Sequence, residues 1–124
     1  MTKVEYKPVE WLNAEVFIER YGKETIVEFT VTNYQKMDYN DRDSGDTRNL
    51  DTITIVDGGN NVYNLAIGKV NANRLLNMGV KDYNMLIQSK IELTTEKIKF
   101  QKFGSKTLIT IVAIDIPPTK TFLD

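Results

Sequence analysis

The clearest periodicity lies at residues 25–33, TIVEFTVTN, where Val27, Phe29 and Val31 alternate with Glu28, Thr30 and Thr32. Successive side chains of a strand point to opposite faces, so this pattern predicts a strand buried on one side. Two further runs follow, with Ile53 and Ile55 on one face of the first and Tyr63, Leu65 and Ile67 on one face of the second. Between them Asp57-Gly58-Gly59-Asn60 predicts a tight hairpin, its glycines supplying the positive φ that such turns use. In residues 90–100, KIELTTEKIKF, Ile91 and Leu93 face inward, and the phase then shifts at Thr94-Thr95-Glu96 before Ile98 and Phe100 do the same. A bulge or bend is expected there. The last run, TLITIVAIDI at 107–116, is apolar on both faces, so the N-terminal helix or a partner subunit is expected to cover its second side.

Helical signals are shorter. Residues 11–24, WLNAEVFIERYGKE, fit both a strand and a helix period, and the end signals decide: Asn13 can cap a first turn and Gly22 suits the position after the last. A helix over about 13–21 is predicted, with Trp11 and Tyr21 assigned to the layer that covers the last strand. Asn71 is read as the cap of a second short helix, ANRLLNM, that Gly79 ends. Residues 34–50 carry no apolar period and many turn formers, which predicts a long exposed loop. PPTKTFLD, 117–124, reads as a tail.

Counted from residue 24 the order is strand, long loop, strand, tight hairpin, strand, short helix, bent strand, turn, strand. That is the order of a five-stranded OB-fold barrel, β-β-β-α-β-β, here preceded by a short helix. The expected fold is mainly β, with a single domain over 1–116 whose barrel occupies about 24–116. An SH3-like barrel lacks the intervening helix, and a ferredoxin-like fold needs two longer ones.

Composition narrows the chemistry. With no cysteine and no histidine, the chain offers no disulfides, no thiolate or imidazole metal site and no histidine-activated nucleophile. What survives is carboxylate chemistry with a hard metal, a lysine-based mechanism or no catalysis; of these no catalysis is expected, with no cofactor or metal, and a hydrolytic carboxylate metal site is the weaker alternative. No apolar run reaches the roughly 18 residues of a membrane span, and the polar N-terminus resembles no signal peptide, so an intracellular, cytoplasmic location is expected. The formal net charge of -1 conceals an uneven spread: residues 1–68 hold 7 Lys/Arg against 12 Asp/Glu, and residues 69–107 hold 8 against 3. A basic field over the second region attracts phosphate whatever the total, because screening isolates charges beyond about 10 Å.

The stretch NANRLLNMGVKDYNMLIQSKIELTTEKIKFQKFGSKTL, 71–108, resembles small OB-fold proteins of bacteriophages and prophages. The likeness rests on the Asn-Ala-Asn helix, the strand entry at Leu86-Ile87, and the fourth strand running into the turn Phe103-Gly104-Ser105-Lys106-Thr107. It departs from the pattern at Gln88-Ser89, where Gly-Lys is usual, and in the longer, more acidic stretch before Asp51. The resemblance implies single-stranded DNA binding in phage or viral replication or recombination, in the host cytoplasm.

Candidate binding residues follow from the expected barrel, which grips oligonucleotides across its second and third strands between the loop after strand one and the hairpin of strands four and five. The first loop offers Tyr34, Lys36, Tyr39, Arg42 and Arg48. The hairpin offers Lys102, Phe103 and Lys106, with Lys97 and Lys99 on the outward side of the strand leading into it. Asn64 would line the groove, whereas Tyr63 belongs to the core. Lysines follow phosphates and rings stack on any base, which predicts sequence-tolerant binding of single-stranded DNA, with RNA not distinguished. The competing expectation is a protein–protein interaction module on the same barrel, with a homodimer as one form. Asp38, Asp41, Asp43, Asp46 and Asp51 miss the EF-hand spacing and are read as a solubilising loop or a flap rather than a metal site. Arg74 is read as a solvated helix residue.

Overall fold

Asn13 and Gly22 act as the end signals require. In the computed structural model, which describes residues 9–40, 45–102 and 104–116, helix α1 spans Ala14–Tyr21. The Asn13 side chain accepts the Val16 N–H at 2.9 Å, and the Gly22 N–H, at φ 100°, reaches the Ile18 carbonyl. The helix buries Phe17, whose ring packs on Phe29 and Tyr21.

The strands are β1 (Glu10–Trp11), β2 (Val27–Asn40), β3 (Thr47–Val56), β4 (Val62–Ala66), β5 (Lys90–Phe100) and β6 (Gly104–Asp115). They form one sheet in the order β1-β4-β3-β2-β5-β6, antiparallel except where β1 runs parallel to β4. The expected β class holds, with six strands among the described residues where five were expected. The sixth is the short β1 on the free side of β4, just ahead of the helix, where no strand is expected.

The sheet curls, because its distant strands share one core and one helix. Phe29, Val31, Ile53, Ile55, Tyr63, Leu65, Ile91, Leu93 and Ile111 meet inside it with Phe17, Leu75 and Leu86. Helix α2 (Lys69–Asn77) follows β4 yet is tied to β6 at the other margin. Asn71 does this: its side-chain amide donates to the Ile109 carbonyl at 2.9 Å and accepts the Ile111 N–H at 2.9 Å. The helix therefore begins at Gly68, without a side-chain cap, and Asn71 lies buried inside it. An Asn has two uses here, and bonding two buried backbone groups replaces capping. Arg74 is no solvated residue either, since its guanidinium grips both Glu96 oxygens at 2.7 and 3.1 Å and Thr110 bonds the same carboxylate.

Of the long loop expected over 34–50, residues 34–40 and 47–50 are strand. They are the outer half of the paired β2 and β3, whose register runs from Thr30↔Val56 to Asn40↔Thr47. The outer pairs are joined by side-chain bonds from Thr47 to Asn40 and from Asn49 to Asp38, which turn-forming residues supply as readily as apolar ones. The β5 bulge expected at 94–96 is absent; pairing there is continuous, and the extra residue is Val112 on β6, opposite Glu92/Leu93. That bulge turns Val112 out to solvent and lets Ile111 and Ile114 both pair with inward-facing residues. It thus relieves the doubly apolar strand, while α1 packs on the inner, Phe29 side of the sheet.

The β3–β4 hairpin is present, but its positive φ falls on Asn60 (φ 65°) and not on Gly58 or Gly59. The Asp57 carboxylate accepts the Gly59 and Asn61 N–H groups and fixes a three-residue loop with a left-handed last residue. Gln88, at φ 70°, is also left-handed, in the turn between the 3-10 helix Tyr83–Leu86 and β5. Its backbone N–H bonds the Val31 carbonyl at 2.7 Å. Left-handed backbone costs a non-glycine residue about 1–2 kcal/mol, more than glycine loses in chain entropy. Gln88→Gly is therefore expected to stabilise the protein by roughly 0.5–1 kcal/mol, read as a higher urea midpoint at unchanged slope.

Candidate nucleic-acid interface

Two arms extend from the sheet. Beyond Thr52, β2 and β3 pair only with each other, and beyond Leu93, β5 and β6 do the same. Along β2 the arms leave in opposite directions, but the curl brings both to the C-terminal end of β4. The Ile67 N–H bonds the Asp51 carbonyl at the root of the first arm. Phe100, Thr107 and Leu108 of the second line a cleft of about 330 Å³ with Leu65, Ala66, Gly68 and Lys69.

A bulge at Thr32 decides which side chains the first arm presents. Val31 pairs with Ile55 and Asn33 with Thr54, so one residue is skipped and the alternation reverses. Tyr34 consequently turns inward beside Ile53. Its hydroxyl donates to Asp51 at 2.5 Å and its ring sits edge-on to Tyr83, with centroids 5.5 Å apart. The bond to Asp51, with partial burial, pushes its pKa up to about 12. Tyr34 is thus held in a structural contact, and Lys36 lies exposed on that same face, opposite Asp51.

Tyr39 turns outward for the same reason. It is 40% exposed, pairs with the exposed Arg48, and meets Trp11 edge-to-face at 5.6 Å. Trp11, Asp38, Tyr39 and Asn40 line an open notch. Asn64 shares this outer face: it neighbours Trp11 across the β1–β4 pairing and accepts a bond from Thr54 at 2.9 Å. The structure therefore gathers Tyr39, Arg48 and Asn64, and adds Trp11, which the sequence reading had placed elsewhere. Its signal was available in outline, as a lone tryptophan in a polar lead-in just ahead of a helix cap.

On the second arm Lys97, Lys99, Lys102 and Lys106 are all exposed. Ile98 and Phe100 are half-buried on the opposite face of the ribbon from Lys97 and Lys99, toward the cleft. Arg42 and Phe103, with Asp41 and Asp43, lie outside the described residues. No group of acidic side chains able to hold a metal ion occurs among the described residues, and none of their helices is long and apolar enough to cross a membrane.

Strongly shifted titrations mark functional sites in many proteins, but here the largest cluster is structural. Tyr21 donates to Asp57 at 2.5 Å, the Tyr21 and Tyr63 hydroxyl oxygens lie 3.0 Å apart, and Arg20 bridges Tyr63 to Glu10. Burial and then the bond to Asp57 push the Tyr21 hydroxyl far above the usual phenol range. For Asp57 burial acts upward, but the bonds from Tyr21, Asn61 and Gly59 together hold its carboxyl below the ordinary value. Glu96, bonded by Arg74 and Thr110, is also held low. Depressed carboxyl pKa values stabilise the fold above the unfolded-state value and lose that contribution as pH falls through the folded one. Stability is expected to be flat near neutrality and to fall below about pH 4, with a shallower fall in Asp57→Asn, measured by urea midpoints across pH.

No protein-family model, curated protein or solved structure matches this chain.

Proposed function

We propose that this chain is a sequence-tolerant single-stranded DNA-binding protein, built on an OB-type barrel and acting in phage or viral replication or recombination by electrostatic capture and base stacking. The observation that carries the reading is that two arms are rooted at one end of β4: a ribbon with exposed Lys97, Lys99 and Lys102, whose Phe100 face lines the cleft there, and an arm that joins Ile67 at Asp51 and presents Tyr39 beside Trp11 and Arg48. Counted from β2, the strand order 3-2-1-4-5 is that of an OB barrel opened between its third and fifth strands, with the helix following the third. This supports the same placement of the groove, across β3 and β4 between the two arms.

Capture and stacking separate experimentally. Lysines that neutralise phosphates release counterions, with a slope of log affinity against log salt of about -0.7 per contact on a single strand. Titration of a labelled oligo-dT of about 25 nucleotides at several salt concentrations is expected to give salt-sensitive binding. Lys97→Ala/Lys99→Ala/Lys102→Ala should lower the slope by on the order of 1–2. An unchanged slope would remove the ribbon from the interface. No binding at low salt would remove the reading itself.

A further inference from the structure

The β2–β3 arm leaves one backbone edge uncovered. On that side β5 pairs with β2 only from Val27 to Thr30, and the turn at Gln88–Ser89 bonds Val31. Beyond this point no described strand pairs with the outer edge of β2. The distal arm, from Met37↔Leu50 to Asn40↔Thr47, is a two-stranded ribbon, and such ribbons are marginal alone in water. A long open edge invites a further strand unless its side chains forbid one.

The side chains here specify which strand. We infer that the edge of β2 around Met37 pairs antiparallel with the same edge of a second copy, giving a two-fold dimer with Met37 at the dyad. Antiparallel pairing about an axis normal to the sheet sets residue i against residue j with both on one face, so i and j share parity. Lys36 and Asp38 lie on one face of β2, separated by Met37. Centring the dyad on Met37 puts Lys36 against the partner's Asp38 and, by symmetry, Asp38 against the partner's Lys36. Centring it one residue earlier opposes two lysines, and one residue later two aspartates. Opposite charges directly across a pair stabilise it and like charges destabilise it, so the short sequence Lys-Met-Asp selects one register from its neighbours.

The consequence is a continuous sheet through both copies, with Tyr39, Arg48 and Trp11 of each on the same side. The pairing uses only the backbone edge and the Lys36/Asp38 face, and does not depend on what the outer face binds.

The chain has no cysteine, so single-cysteine variants test the register cleanly. Facing Cα atoms in an antiparallel pair lie about 4.5–5.5 Å apart, within disulfide range. Met37→Cys is therefore expected to oxidise to a covalent dimer. Gln35→Cys, about 14 Å from its mate in this register, should not. In sedimentation equilibrium the native chain should dimerise reversibly. Lys36→Asp should weaken that dimer at least about tenfold, and the exchanged double variant Lys36→Asp/Asp38→Lys should restore it. Circular dichroism of each variant separates lost pairing from lost folding. A monomer at all concentrations, a dimer indifferent to Lys36→Asp, or equal cross-linking at 35 and 37 would overturn the inference.

Discussion

Asn71→Ala is expected to destabilise the protein by about 2–4 kcal/mol, well above the usual cost of a single polar substitution. The side chain is buried and makes two bonds to the β6 backbone, one as donor to Ile109 and one as acceptor from Ile111. Those are the two bonds a neighbouring strand would supply at that place on a sheet edge. Alanine leaves a buried carbonyl and a buried N–H without partners, and each unsatisfied group costs about 1–3 kcal/mol. Because Asn71 joins the helix after β4 to the far margin of the sheet, its loss also loosens the curl of the sheet. Asn73→Ala, exposed on the same helix, should stay within about 0.5 kcal/mol. Urea midpoints decide the matter, and a loss under about 1 kcal/mol at Asn71 would mean that α2 does not hold the sheet curled.

The second large effect is on binding. Stacking one base on an exposed ring is worth about 1–3 kcal/mol, so Tyr39→Ala should weaken oligo-dT binding by roughly 5- to 150-fold. Tyr34→Phe should leave affinity unchanged, because that hydroxyl is engaged with Asp51 and its ring with Tyr83. The contrast between two tyrosines five residues apart follows from the Thr32 bulge. Without the skipped residue, Tyr34 would face out and Tyr39 in. Equal losses at both positions, or none at Tyr39, would place the stacking surface elsewhere.

How much of this the sequence announced depends on the range of the interactions involved. The ends of α1 were legible because Asn13 and Gly22 act on backbone groups within four residues of themselves. The β3–β4 hairpin was legible for the same reason, although Asp57 and Asn60, rather than the glycines, set its turn. The β2–β3 arm was not, because its strands are held by Tyr34 with Asp51, Asp38 with Asn49 and Asn40 with Thr47, bonds that span 7 to 17 residues and leave no local period. Asn71 was found but given the wrong role, since a capping asparagine and one that bonds a distant strand look alike in sequence. The lysines of the second arm could be read directly, because a charged turn tends to be exposed in any fold. Which ring faces out could not, since it turns on one bulge.

Binding by stacking at the β2–β3 arm requires single-stranded DNA to lie against Trp11 and Tyr39. Trp11 is the sole tryptophan of the chain, so its emission reports on that place alone. Adding unlabelled oligo-dT at low salt should change the emission saturably, and the change should disappear at high salt, as counterion release requires. Emission that stays constant to saturating oligonucleotide, in a sample where a labelled strand binds, would contradict the placement of the site at the β2–β3 arm.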